Sequence, residues 1–194
     1  MRKQILAFLF VVVIASVSYA ECDETITIDS VDYKISDVWC GKKIDTTQIP
    51  EYEDLSRIPD DFCSKDYKIY IRKAAAESFV EMAEAALADS IVILAKSGFR
   101  SSSYQKQMIR KRLKEGMTFE EIITFVAPPG YSDHSLGLAL DLSTTTYPFG
   151  ESKAYKWLLE NAVKYNYYEQ YPKGNDELKT WEPWHWKFDS TLTK

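Results

Sequence analysis

The chain has 194 residues, of which 45% are hydrophobic and 27% charged, and a formal net charge of −5. That length and mix fit one domain able to bury a core. The acidic surplus argues against binding to nucleic-acid phosphates or anionic membranes, which needs clustered Lys and Arg. The aromatic share of 14% argues against a disordered chain and suits an aromatic-lined groove.

Arg2 and Lys3 precede an apolar run over residues 5–17, and Ser18-Tyr19-Ala20 offers small residues where a signal peptidase reads. The run is short of the roughly 20 residues of a membrane span. Residues 1–20 therefore read as a signal peptide, with an uncleaved anchor as the alternative. Tyr19-Ala20-Glu21 before Cys22 does not fit a lipoprotein pattern. Cleavage after Ala20 removes two cations and no anion, taking the net charge from −5 to −7. In an oxidising compartment two of Cys22, Cys40 and Cys63 can pair. The expected pair is Cys40 with Cys63, because Cys22 adjoins the new terminus.

Residues 25–28 and 31–35 alternate polar and apolar positions around Asp29-Ser30, which predicts a hairpin. Periodicity then fades, and Pro50, Pro59 and several acids predict an irregular wrapping segment. Residues 21–66 read as an N-terminal extension and not as an independent domain. Residues 67–89 carry the clearest helical pattern. Ala75, Phe79, Met82, Ala83, Ala86 and Leu87 recur at three- and four-residue intervals and form a core face. The short β-branched run at 91–95 predicts a buried strand, and Ser97-Gly98-Phe99-Arg100 follows it.

Ser101 to Ser103 can cap a helix through about Glu115, ended by Gly116. Thr118-Phe119-Glu120-Glu121 has capping-box spacing and opens a helix to about Val126. In a strand at 138–142, Leu138, Leu140 and Leu142 share one face, and Ala139 and Asp141 share the other. Another helix is expected at 151–165. Strands are expected at 167–171 and 184–188, the latter with His185 opposite Trp184 and Trp186. The pattern predicts an α+β fold, a small antiparallel sheet with helices packed on it.

Both histidines of the chain lie near carboxylates, in Ser132-Asp133-His134-Ser135-Leu136-Gly137-Leu138-Ala139-Leu140-Asp141 and Glu182-Pro183-Trp184-His185-Trp186. Hydrolytic zinc sites use three protein ligands and keep one position open. His134, Asp141 and His185 supply three, and Gly137 places no side chain between the first two. Glu182 can take a proton from attacking water and give it to a departing amine. Arg100 can grip a carboxylate bidentately, while Gln105 and Ser132 can add hydrogen bonds to a substrate. Each residue alone also fits a plainer role, such as a hydrogen-bonded histidine, a surface glutamate, a capping arginine, a solvated glutamine or a turn serine.

Together, Ser132-x-His134-x-x-Gly137-x-Ala139-x-Asp141 and Glu182-Pro183-Trp184-His185 resemble the signature of the VanY-type zinc D-alanyl-D-alanine carboxypeptidases. Ser97-Gly98-Phe99-Arg100-Ser101 with Gln105, and Ala127-Pro128-Pro129-Gly130, match that family's upstream segments. The resemblance spans about residues 67–188. It implies a single zinc carboxypeptidase domain at 67–190, with Zn2+ held by His134, Asp141 and His185 and with Glu182 as catalytic base. It also implies that Arg100 binds the terminal carboxylate of a peptidoglycan stem peptide, with Gln105 and Ser132 as further substrate contacts. The expected protein is an exported monomer, periplasmic or extracellular and associated with the cell wall. It trims the C-terminal D-alanine and has no nucleic-acid or membrane partner in its mature form. The alternatives are a related L,D-carboxypeptidase, dipeptidase or endopeptidase, a non-catalytic peptidoglycan-binding module, or a secreted zinc-binding structural protein.

Overall fold

The computed structural model describes residues 22–64, 67–174 and 181–193. The signal peptide expected at 1–20 lies outside the described residues. Asp29 and Ser30 both take left-handed backbone, with φ of 51° and 65°, as a tight two-residue hairpin turn demands. They fold β1 (Thr25–Ile28) onto β2 (Val31–Lys34). The following segment is irregular apart from short 3-10 turns and β3 (Leu55–Arg57), which pairs antiparallel with β4 (Tyr70–Arg72).

That pairing takes the first residues of the long helix expected from the sequence. α1 runs Lys73–Ala88 and does not start at residue 67, because strand pairing at Tyr70 and Ile71 overrides a local helical pattern. β5 is Ala95–Ser97, displaced from the strand expected at 91–95. Its ladder with β6 (Ala139–Leu142) begins at Ala95 opposite Leu142. Ser143 then leaves the strand at φ 53°, its amide making a last bond to the Leu94 carbonyl at 2.5 Å, so residues 91–93 lie beyond the ladder and Val92 is exposed.

Ser101 caps α2 (Ser102–Lys114) by accepting from the Tyr104 amide. The Thr118–Glu121 capping box opens α3 (Phe119–Ile122), which stops short of the expected Val126. α4 (Lys153–Asn161) is capped by Ser152 and flanked by 3-10 turns at Tyr147–Glu151 and Ala162–Tyr165. β7 (Tyr167–Glu169) and β8 (His185–Phe188) are each slightly shorter than expected. They complete an antiparallel sheet in the order β5-β6-β8-β7. The fold is α+β, and among the described residues no helix is long and apolar enough to cross a membrane.

The sheet has one face for the core and one for chemistry. Leu140, Leu142, Trp186 and Phe188 join Phe79 of α1 and Leu158 of α4 in the main core. The alternate residues Asp141 and His185 sit directly opposite each other across the β6–β8 ladder. A one-residue slip would exchange these faces, so burial of the leucines and tryptophan fixes where the two polar side chains stand.

A second core forms where Ile28, Ile35 and Trp39 close over Ile109, Phe119 and Ile122. The cysteines pair differently from expectation: Cys22 bonds Cys40, and Cys63 is free and buried. Cys22 is not frayed, being 3% exposed within the second core. Cys63 belongs to the main core, bridged to Ala95, and burial raises its thiol pKa. Without reductant, thiol titration should find one reactive group, and only after unfolding. Replacing Cys22 and Cys40 together by serine should lower stability in denaturant melts by ~2–4 kcal/mol. An unchanged midpoint would contradict a stabilising staple.

Candidate metal centre

The 3-10 turn Asp133–Leu136 delivers His134 toward the polar face of β6. Gly137 ends that turn at φ 66°, which glycine adopts without strain. A Cβ there would lie 3.1 Å from Leu55 Cδ2 and 3.3 Å from Arg72 Cγ. This glycine therefore serves the turn and its packing on β3 and β4, a different reason from the ligand clearance expected from sequence.

His134 Nδ1 lies 2.7 Å from the Gly98 carbonyl. A carbonyl only accepts, so Nδ1 carries the proton and Nε2 keeps its lone pair. Nε2 is 3.3 Å from Asp141 Oδ1. From the neighbouring strand, His185 Nδ1 approaches the same oxygen at 3.2 Å, and the two imidazoles meet edge to face with centroids 4.9 Å apart. One donor atom from each of the three residues lies within 4.8 Å of the others. Both Nε2 atoms are buried and have no hydrogen-bond partner among the described residues. Two imidazole nitrogens and one carboxylate fit zinc, whereas calcium and magnesium favour oxygen ligands.

The charge states fit as well. Burial, helped by the Arg100 guanidinium, pushes the His134 pKa down to about 4. Burial alone would raise the Asp141 carboxyl. Its neighbours His134, His185, whose Nδ1 lies 3.2 Å from Oδ1, and the Arg100 guanidinium hold it well below the usual carboxylate range. A neutral imidazole beside an ionised carboxylate is the protonation state that metal binding requires.

Glu182 is buried, and its Oε2 stands 4.0 Å from His185 Nδ1. The His185 amide donates to the Glu182 carbonyl at 2.9 Å, which ties the carboxylate's backbone to the start of β8. Among the described residues the Arg100 side chain has only long contacts, 3.5 Å to Asp141 Oδ2 and 3.9 Å to Met108 Sδ. Its buried Nε has no partner among the described residues. A guanidinium so poorly satisfied is suited to an incoming carboxylate. Gln105 donates to the Ala127 carbonyl at 2.7 Å, while its buried Oε1 lacks a partner among the described residues. Ser132 is buried and lines the same cleft. That cleft, ≈520 Å³ in volume, is lined by all seven residues singled out from the sequence.

Two features escaped the sequence reading. One is the Gly98 carbonyl that orients His134. A Cβ on Gly98 would come within 2.6 Å of the Tyr70 carbonyl oxygen, so only glycine lets β4 and this carbonyl approach. The other is Asp133, which accepts from Lys187 Nζ at 2.6 Å and from the Tyr171 hydroxyl at 3.0 Å. Burial opposes its ionisation, but Lys187 holds its pKa below the ordinary value. This bridge fastens the His134 turn to the strand that carries His185. Strand alternation could have found Lys187, two residues past His185 on the same face, but not its partner.

Residues 68–191 match the model of the VanY family, D-alanyl-D-alanine carboxypeptidase, and the chain belongs to that family. It is 34% identical over 144 residues to a putative carboxypeptidase, YodJ, of Bacillus subtilis, covering 68% of this chain and 52% of the relative. It is 30% identical over 118 residues to a D-alanyl-D-alanine carboxypeptidase of Enterococcus faecalis, covering 56% of this chain and 44% of the relative. The chain thus spans about half the length of the curated relatives it matches. Among solved structures, the LD-carboxypeptidase LdcB superposes with a TM-score of 0.67 at 29% identity, covering 85% of this chain and 83% of that one. A mutant of the vancomycin-resistance D,D-pentapeptidase VanY in complex with Zn(II) gives 0.52 at 25% identity, covering 69% and 83%.

The low pKa of His134 has a measurable consequence. The unfolded chain, with an ordinary value of 6.5, binds a proton that the folded metal-free protein refuses until about 4. Metal-free protein should therefore lose stability as pH falls from about 6.5 to about 4. Thermal melts across that window should show a flatter dependence for His134→Asn, and identical slopes for the two proteins would contradict the assignment.

Proposed function

We propose that this chain is a zinc-dependent cell-wall carboxypeptidase that removes the C-terminal D-alanine from peptidoglycan stem peptides, exported by a signal at residues 1–20. The observation that carries this reading is one cleft holding a His-Asp-His donor set, a buried carboxylate 4.0 Å from one of its nitrogens, and an undersatisfied guanidinium. Relatives described as D-alanyl-D-alanine carboxypeptidases support the substrate class.

Zinc held by His134, Asp141 and His185 would supply a Lewis acid that polarises the scissile carbonyl and lowers the pKa of the attacking water. The chain's own groups do the rest. Glu182 accepts a proton from that water and passes it to the departing amine. Arg100 pairs with the terminal carboxylate in fork geometry, and Gln105 and Ser132 add hydrogen bonds near the same end. Anchoring the chain end decides which peptide bond meets Glu182, and that restricts cleavage to a single terminal residue. The Gly98 carbonyl and the Asp133–Lys187 bridge hold the histidines in place.

An L,D-carboxypeptidase is the second reading, favoured by one observation. The LD-carboxypeptidase LdcB superposes over more of the chain and with a higher TM-score than the D,D-pentapeptidase does, 0.67 against 0.52. The two activities share the site chemistry and differ in the configuration of the residue before the scissile bond. Mass spectrometry of products from defined pentapeptide and tetrapeptide stems separates them. A D,D-enzyme shortens the pentapeptide by one residue, an L,D-enzyme shortens the tetrapeptide, and loss of no residue from either would contradict both.

Glu182→Ala should lower kcat by roughly 10²–10⁴-fold with metal content unchanged; normal turnover would exclude Glu182 as the base. Arg100→Ala should lower kcat/KM for a free-acid stem roughly 10- to 100-fold. It should also abolish the preference of the parent enzyme for the acid over its C-terminal amide. A parent enzyme that cuts acid and amide equally well would rule out carboxylate recognition by Arg100.

A further inference from the structure

The chain carries 24 Lys and Arg against 29 Asp and Glu. Six of those cations fall within residues 100–114, which hold no acid. Two of the six, Arg100 and Arg112, line the cleft. The other four, Lys106, Arg110, Lys111 and Lys114, stand about one turn apart along α2 and share its outer side. Arg110, Lys111 and Lys114 line a surface groove of ≈450 Å³ there. Among the described residues, the ion pairs of these four are Arg110 with Asp29 and Lys111 with Glu115. The hydrogen bond from Arg110, and then its charge and those of Lys114 and Lys106, lower the Asp29 pKa. Three cations thus gather around one carboxylate of the β1–β2 hairpin. The Lys111–Glu115 pair is exposed and 3.9 Å long, and such a pair holds its lysine weakly. Cations in a last turn suit the helix dipole, which accounts for Lys111 and Lys114 in part. It does not account for Lys106, nor for like charges one turn apart, which weaken a helix.

A row of cations on an otherwise acidic surface fits a row of anions. Arg and Lys both bind phosphate oxygens with charge-assisted hydrogen bonds. The apolar side of α2, Ile109 with Leu113, is already packed in the second core, so it offers no apolar face to a bilayer. No aromatic residue stands among the four cations, whereas single-stranded nucleic acid is held by stacking on such rings. What remains is a phosphate chain without bases or acyl tails. We propose that the outer side of α2 docks on a linear polyanion of the cell wall, one with phosphodiester links along a polyol backbone. The same polymer repels the acidic remainder of the surface, so docking also orients the molecule. α2 contributes Gln105, Met108 and Arg112 to the cleft, and the polymer therefore holds the cleft beside the wall. The inference draws on the wall-associated reading only for where the polymer is met.

Fluorescence anisotropy with labelled poly(glycerol phosphate) tests this on the zinc-loaded protein. Affinity should fall roughly 20- to 150-fold between about 50 and 200 mM salt, as three or four phosphate contacts require. Lys106→Gln, Lys111→Gln and Lys114→Gln together should weaken binding by about tenfold or more at the lower salt. Arg110 is kept because it ties the hairpin to α2. Gln preserves helix propensity, so the melting midpoint and kcat/KM on a free stem peptide should not change. If the triple variant melts lower, Lys111→Gln alone, at a side chain 78% exposed, should weaken binding roughly 3- to 10-fold. No binding by the parent, or binding indifferent to these lysines, would overturn the inference. So would equal or tighter binding, through the same lysines, of poly-glutamate, oligothymidylate or phosphatidylglycerol vesicles, each of which gives the face a different partner. None of these outcomes touches the carboxypeptidase reading, which fails separately if the parent cleaves no stem.

Discussion

A single buried carboxylate organises the cleft. Asp141 Oδ1 lies within 3.3 Å of nitrogens from both histidines, and its other oxygen faces the Arg100 guanidinium. Burying an unpaired carboxylate costs several kcal/mol, so the fold must bring cationic and hydrogen-bonding partners to it. It does so through sheet register. Asp141 pairs across the ladder with His185, while Leu140 pairs with Trp186 on the opposite face. The apolar side chains that fill the main core thereby also aim the polar ones at each other.

The N-terminal extension lies outside the family match at 68–191, yet it braces the same site. The Ile44 amide donates to the Gly130 carbonyl at 2.7 Å. Trp39 Nε1 donates to the Ile123 carbonyl at 2.8 Å, and the Tyr131 hydroxyl donates to Glu24. Hydrogen bonding to Tyr131 lowers the Glu24 pKa, and burial with Glu24 beside it raises that of Tyr131. These contacts hold the segment leading into Ser132 and His134, and the Cys22–Cys40 bond staples the segment that makes them. The extension thus links a disulfide in the second core to the placement of a ligand turn.

Much of this was legible because it depends on local chemistry. The hairpin turn, the Ser101 and Thr118 caps, and the alternation that separates Asp141 from its flanking leucines all follow from residue type and period. What failed depended on partners distant in the chain. Tyr70 and Ile71 carry a helical pattern but find β3, fifteen or so residues earlier. The strand expected at 91–95 slides to Ala95–Ser97 because its partner β6 ends at Leu142. Cys22 looked peripheral until the hairpin folded it against Trp39. The Gly98 carbonyl could not be read at all, since every residue has one and only the tertiary fold selects which faces His134.

The central claim is that His134, Asp141 and His185 form one metal-binding set beside Glu182. Diffraction from crystals of the zinc-loaded protein, recorded on both sides of the zinc absorption edge, tests it most directly. One strong anomalous peak per chain is expected, bounded by these three side chains. A peak elsewhere, or none at this position at full zinc loading, would contradict it.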